Sequence, residues 1–208
     1  MSEGEVTERS DPGRFADGLA AAVKVAEAED VPYAVFGSIA SAHWGRPAPS
    51  GDIDLFVRAH DARSVHEAFE REGWETREEN PKWLLKATKD GVLVDLIFKV
   101  RGDIYFDDEM REHAVGASYL GVDLTMLSPE DTLLVEALSN EYETPDHWFN
   151  ALAILATQED LDWDYLMRRA RMGARRILSL LIYAQSTDVT LPTRHVRDLY
   201  RIVYEQEA

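Results

Sequence analysis

Residues 37–57 read GSIASAHWGRPAPSGDIDLFV, and the fold depends on how this stretch divides. Before it, residues 31–36 (VPYAVF) form a short apolar run of strand formers. The run ends at Gly37-Ser38, a small pair that lets backbone approach a ligand. Residues 39–44 have the composition of one or two helical turns, and the breakers of residues 45–51 (GRPAPSG) end them. A second strand then opens as Asp52-Ile53-Asp54-Leu55-Phe56-Val57. Strand side chains alternate, so Asp52 and Asp54 project from one face while Ile53 and Leu55 project from the other. Two like charges so close repel unless a cation lies between them. A hard divalent ion with oxygen ligands relieves that repulsion, and Mg²⁺ commonly takes one or two carboxylates together with substrate phosphates.

A third acid extends the pattern. Residues 92–98 (VLVDLIF) are apolar except for Asp95 at the centre, the composition of a fully buried strand. An ionised carboxylate inside such a strand has to be paired, metal-bound or protonated. If this strand neighbours the one carrying Asp52 and Asp54, the three acids form a metal-binding edge. Gly37 and Ser38 then lie nearby to hold phosphate.

The succession of Gly-Ser, a helix, Asp-x-Asp on a strand and a lone Asp on a later strand resembles the nucleotidyltransferase superfamily to which DNA polymerase β belongs. More narrowly, the chain is similar to small bacterial nucleotidyltransferases that include abortive-infection type toxins. Those often carry Gly-x-Pro-Arg-x-Thr-x-Asp-Ile-Asp; here residues 45–54 supply the Gly, the Pro and both Asp, with Ser50 in place of Thr. Ala48 stands where Arg is usual, and whether Arg46 substitutes for it is left open.

The resemblance implies an α+β fold: a mixed sheet with flanking helices, followed by a helical C-terminal part. It also implies transfer of a nucleoside monophosphate from an NTP such as ATP to an acceptor hydroxyl on protein, RNA or a small molecule, with release of pyrophosphate. Asp52, Asp54 and Asp95 would hold two Mg²⁺ ions, or Mn²⁺, and Asp95 would act as, or position, the base. Gly37, Ser38, Arg46 and Ser50 would contact the nucleotide. A toxin role would bring a cognate antitoxin protein as partner. A catalytically inactive binding or regulatory protein on the same fold is the alternative, motivated by Ala48. Metal-dependent phosphoester hydrolysis is a third reading.

At 208 residues the chain suits one large domain or two small ones. It has no cysteine, which excludes disulfides, thiolate metal sites and a cysteine nucleophile. The net charge of −17 disfavours non-specific binding to nucleic acid or anionic membranes. No apolar run is long enough to span a bilayer, and the acidic N-terminus is unlike a signal peptide, so a cytoplasmic protein is expected.

Residues 1–12 are expected to be disordered, residues 13–127 to form the catalytic domain and residues 128–208 a helical, substrate-shaping domain. Helices are expected over residues 15–29 and 62–72, and strands at 74–76 and 83–88. The latter joins the Asp95 strand through the Asp90-Gly91 hairpin signal. Lys82 and Lys86 are read as solvated strand lysines. Asp103, Asp107, Asp108 and Glu109 lack the spacing of a calcium loop and read as a solvated loop running into a helix start. Residues 122–127 read as an edge strand.

Ser128-Pro129-Glu130-Asp131 is a strong helix start. Helices follow over residues 132–139, 147–157, 164–185 and 194–204. Asp146-His147-Trp148 is explained by capping and packing. Arg168, Arg169, Arg171, Arg175 and Arg176 crowd one helix, and pairing with nearby acids such as Asp160, Asp162 and Asp164 is preferred over a phosphate or RNA contact.

Overall fold

The computed structural model of the chain describes residues 11–47, 51–141 and 144–205. Helix α1 (Pro12–Ala28) starts where Asp11 accepts from the Gly13 amide at 3.1 Å, with Pro12 in the first turn. Strand β1 (Tyr33–Val35) leads into α2 (Gly37–Trp44), β2 (Asp52–Val57) and α3 (Ala62–Arg71). The meander β3 (Glu75–Asn80), β4 (Leu84–Lys89) and β5 (Val92–Ile97) follows. Next come α4 (Asp108–His113), β6 (Val115–Tyr119) and β7 (Val122–Met126). The remainder is helical: α5 (Pro129–Ser139), α6 (Asp146–Thr157), α7 (Trp163–Ala170), α8 (Ala174–Ser186) and α9 (Thr193–Tyr204).

The strands form one mixed sheet in the order β3-β4-β5-β2-β1-β7-β6. Strands β2 and β5 run parallel and β4 and β5 antiparallel, while β1 pairs antiparallel with β2 and parallel with β7. Alternation divides each strand between two cores. Val35, Ile53, Leu55, Val94 and Leu96 pack under α1 and α3, against Leu19, Val23, Val65 and Phe69. Ala34, Phe36, Phe56, Leu84 and Ile97 belong to the other core, shared with Phe106, with Met110 of α4 and with residues of α5 to α9. Asp52, Asp54 and Asp95 share the parity of Phe56 and Ile97, so they face the helical layer. The helices of the C-terminal part thus wall the side of the sheet that carries the acids.

Several elements differ from expectation: α1 starts at Pro12 and not at Phe15, β3 runs on to Asn80, and residues 1–10 of the stretch expected to be disordered lie outside the described residues. The strand at residues 122–127 is not the sheet edge. It is flanked by β6, reached through a tight hairpin in which Leu120 (φ 50°) and Gly121 (φ 80°) both take left-handed conformations. The helix expected over residues 164–185 is two helices separated by a turn of 3-10 helix, Arg171–Gly173. At that break Gly173 sits so close to Leu138 that a Cβ would overlap its side chain, so α5 and the start of α8 approach through the missing methyl.

Of the crowded arginines, Arg168 and Arg169 pair with acids, and with acids other than those expected. Arg168 donates to Glu109, and Arg169 to Asp107 at 2.7 Å and Glu109 at 3.1 Å. Arg176 donates to the carbonyls of Leu138 and Asn140. Asp107 and Glu109 therefore anchor α7, while Asp103 and Asp108 stay exposed as expected. No helix among the described residues is long and apolar enough to cross a membrane.

Helix α2 is seated on α6 by a second close approach. A Cβ on Gly45 would lie 2.9 Å from the Ile154 backbone nitrogen, and Trp44 O accepts from Thr157 Oγ1 (2.7 Å) and Gln158 Nε2 (2.6 Å). Backbone cannot yield as a side-chain tip does. Gly45→Ala is therefore expected to lower stability by about 1–3 kcal/mol, in the range of overpacked cores. Thermal melting reads this directly, and an unchanged melting temperature would mean that α2 and α6 are not in this contact.

Candidate active site

The site is set by strand register. In the parallel β2/β5 pair, Asp54 lies directly opposite Asp95 and Asp52 opposite Leu93. In the antiparallel β4/β5 pair, Lys86 lies opposite Asp95. Lys86, Asp95 and Asp54 therefore form a row across three strands on one face, with Asp52 one pleat along from Asp54. Each of Asp52, Asp54 and Asp95 offers a carboxylate oxygen, and the three oxygens lie within 4.8 Å of one another. Asp95 is buried, while Asp52 and Asp54 are partly accessible.

Chain turning brings the Gly-Ser segment onto this row. Phe36 N donates to Asp54 O at 3.1 Å, and α2 begins at Gly37, two residues before the expected start. Gly37 has φ +61°, and a Cβ there would overlap the Asp54 carboxylate. Glycine is required on both counts: the left-handed backbone, and contact between its Cα and the acid. The first turn of α2 thus begins against Asp54.

Electrostatics follow from this crowding. Burial pushes the Asp54 carboxyl well up, and repulsion from Asp52, Asp95 and Glu136 adds to it, with Lys86 opposing. The Asp52 carboxyl is raised by burial and then by Asp95, again with Lys86 opposing. Lys86 Nζ donates to both Asp95 oxygens, at 2.7 and 2.8 Å. It is a partner of the site and not the solvated strand lysine expected. Three oxygen donors converging on one point, in surroundings that resist their negative charge, suit a hard divalent cation.

The remaining expected residues are distributed as follows. Gly37 and Ser38 stand at the start of α2, and Gly37 lies against Asp54. Arg46 turns to the first turns of α6, 3.5 Å from Asp146 and donating to Asn150 Oδ1 at 3.4 Å. Ser50 and Ala48 lie outside the described residues. Glu136, which no motif had singled out, reaches the site from α5 and joins it to α2 and α6. It accepts from Ser41 Oγ at 2.5 Å and pairs with His147 Nδ1 at 2.7 Å. Its signal was the one that exposed Asp95: a single acid inside an apolar run, residues 133–138 (LLVEAL).

A mixed sheet carrying three acids beside a Gly-Ser turn defines the nucleotidyltransferase class, and sequence comparison agrees. Residues 16–186 match the family described as uncharacterised nucleotidyltransferase, and the chain belongs to that family. Three solved structures resemble it. The antibiotic-resistance factor ANT(2'')-Ia is 14% identical over 85% of this chain and 100% of that chain, with a TM-score of 0.54. An antigenic nucleotidyltransferase-like protein from Paracoccidioides brasiliensis is 12% identical over 83% and 93%, with a TM-score of 0.51. The lincosamide antibiotic adenylyltransferase LnuA, bound to lincomycin, is 14% identical over 68% and 97%, with a TM-score of 0.49. At such identities the likeness is one of fold. No curated protein matches the sequence.

Raised carboxyl groups make the metal-free fold sensitive to pH. Where the unfolded chain has already lost the Asp52 and Asp54 protons, the folded chain still holds them. Stability is therefore lost as pH rises from the ordinary aspartate range through the raised folded values. Asp54→Asn removes one of the repelling charges. In metal-free buffer above neutral pH it is expected to melt at or above the wild-type temperature, and to lose the upward shift that Mg²⁺ gives wild type. A variant that melts several degrees lower, with the Mg²⁺ shift intact, would mean that these acids serve structural ion pairs instead.

Proposed function

We propose that this protein is a metal-dependent nucleotidyltransferase that moves a nucleoside monophosphate from an NTP to an acceptor hydroxyl. The observation that carries the reading is the register that sets Asp54 opposite Asp95 with Asp52 on the same face. A dead site would have no reason to keep three repelling carboxylates together, two of them held up by burial and mutual repulsion.

Asp52, Asp54 and Asp95 would hold two Mg²⁺ ions, with Mn²⁺ as a substitute. Bound there, the ions would supply charge neutralisation on the triphosphate and a lower barrier to hydroxyl ionisation. The chain itself would orient the reaction. The start of α2, with Gly37 and Ser38, would hold the β- and γ-phosphates. Lys86, fixed on Asp95, would keep that carboxylate in one orientation toward the acceptor side. The acceptor oxygen would bond to the α-phosphorus as the α–β bridging bond breaks and pyrophosphate leaves in line. Arg46 and Ser50 would meet the nucleotide from the segment between α2 and β2.

In this reading residues 13–127 are the catalytic domain and residues 128–208 shape the acceptor pocket. ANT(2'')-Ia, the neighbour with the higher TM-score, is named as an antibiotic-resistance factor. By that analogy of fold the acceptor here is a small molecule bearing a hydroxyl, with protein and RNA ends as the other outcomes of the test. A toxin's antitoxin partner and a cytoplasmic location go with the family resemblance.

The test is an NTP panel labelled at the α-phosphate, incubated with Mg²⁺ and a bacterial lysate as acceptor source. Label is expected in one acceptor class, with pyrophosphate released in equal amount. Asp52→Asn and Asp54→Asn are each expected to fall below detection while remaining folded. Absence of labelling with every NTP, or labelling that survives both substitutions, would remove the transferase reading.

A further inference from the structure

Behind the acid row lies a second set of polar groups, on the side of the helical layer. Ser41 follows Gly37 by one turn of α2, about 6 Å along the helix axis. Glu136 of α5 meets it there, only 3% exposed. Each Glu136 oxygen is occupied: Oε1 by Ser41 Oγ at 2.5 Å, Oε2 by His147 Nδ1 at 2.7 Å and Asn150 Nδ2 at 3.4 Å. Helix α2 ties the group to the site: Gly37 in its first turn lies against the Asp54 carboxylate, and Ser41 one turn on bonds Glu136.

An ionised carboxylate only accepts hydrogen bonds, so Nδ1 of His147 carries a proton and donates it. In the neutral ring the free lone pair is then on Nε2. That atom has no hydrogen-bond partner among the described residues, and the His147 side chain is 39% exposed. The arrangement is that of an oriented base: a buried acid fixes the tautomer and leaves the outer nitrogen accessible. Asp95 is in the opposite condition. Lys86 donates to both of its oxygens, so each already has a partner.

Packing alone does not explain Glu136. A buried carboxylate that merely ties α2, α5 and α6 together does no better than an apolar side chain of similar volume. What Glu136 adds is a fixed direction for the His147 ring. We propose that His147 is the proton acceptor for the incoming hydroxyl and that Glu136 is its positioning residue, an assignment that rests on the nucleotidyltransferase reading above. In the transfer step the acceptor oxygen bonds to the α-phosphorus and the α–β bridging P–O bond breaks. Pyrophosphate carries away the bridging electron pair. The hydroxyl proton passes to Nε2, and Glu136 balances the imidazolium that forms.

The charged groups facing His147 are Glu136 from α5 and Asp146 on its own helix, with Arg46 beyond it, paired to Asp146. The hydrogen bond to Glu136 holds the imidazole above the ordinary histidine value, burial opposes this, and the Glu136 and Asp146 charges add to the rise. The base form is therefore populated on the alkaline side, and the rate should climb with pH through a limb above the ordinary histidine range. Glu136→Gln removes the charge that raises the ring, so its limb should move to lower pH.

The deciding variant is His147→Asn, whose amide can still donate to Glu136 but has no counterpart of Nε2. Three properties are compared in wild type and variant: melting temperature, the melting shift given by Mg²⁺ with a non-hydrolysable ATP analogue, and α-label transfer to the bacterial lysate across pH. The expected result is unchanged melting, an unchanged nucleotide shift, and transfer slowed by about 10²–10⁴-fold, the usual contribution of a general base. The alkaline limb should vanish, and added imidazole should restore part of the rate to His147→Ala.

Transfer by His147→Asn at the wild-type rate with the same limb would overturn the assignment and leave the transferase reading standing. Loss of the nucleotide shift in that variant would overturn it too, because His147 would then be acting through NTP binding. Wild type that transfers no label under any NTP would remove both readings together.

Discussion

Repulsion among Asp52, Asp54 and Asp95 is the constraint around which the rest of the molecule is arranged. Parallel pairing of β2 with β5 forces two of these acids to face each other, and strand alternation brings the third to the same face. One oxygen from each of the three carboxylates lies within 4.8 Å of the others, and such groups repel unless they are protonated or a cation compensates them. Lys86 supplies part of that compensation from the neighbouring strand. Protonation or a bound ion relieves the repulsion further, which is why the site is a fitting place for divalent metal.

The helical layer enters through the same face. Alternation along β1, β2, β4 and β5 gives Ala34, Phe36, Phe56, Leu84 and Ile97 to the core shared with α5 to α9. The acids lie on that side too, so the apolar contacts that seat the helices also build a wall beside the carboxylates. Two further contacts fix how α2 sits between sheet and helices. Gly37 allows its first turn to touch Asp54, and Gly45 allows its last turn to touch the α6 backbone. Glu136, a buried residue of α5, bonds Ser41 of α2 and His147 of α6. Chemistry and packing are therefore not separable here: residues that close the core also orient the site.

Much of this is legible in the amino-acid sequence, for physical reasons. Asp95 stands out because an acid in the middle of VLVDLIF has no apolar alternative to pairing or metal. Gly37 stands out because a small residue between a strand and a helix marks a close approach. The place of Lys86 was also accessible. The Asp90-Gly91 turn makes residue 89 face residue 92, and counting back from it sets Lys86 against Asp95. Considering the lysine by residue type alone hid that. Glu136 was hidden because a helix carrying one acid in an apolar run is easily read as amphipathic, although almost all of α5 is buried. The hairpin of β6 and β7 escaped because a leucine occupies one left-handed turn position where Asn, Asp or Gly is the usual signal. Partners such as Arg169 with Asp107 and Glu109 are about sixty residues apart and follow only from the packing of α7 on the segment around α4.

The central claim is that register makes Asp52, Asp54 and Asp95 one cation site. Titration with Mn²⁺ followed by electron paramagnetic resonance, with a non-hydrolysable ATP analogue present, tests it most directly. The account predicts saturable binding of two ions per chain, displaced by Mg²⁺, and loss of that binding in Asp95→Asn with the fold retained. Equal Mn²⁺ binding by wild type and by Asp95→Asn, or binding no stronger than that of the analogue alone, would contradict it.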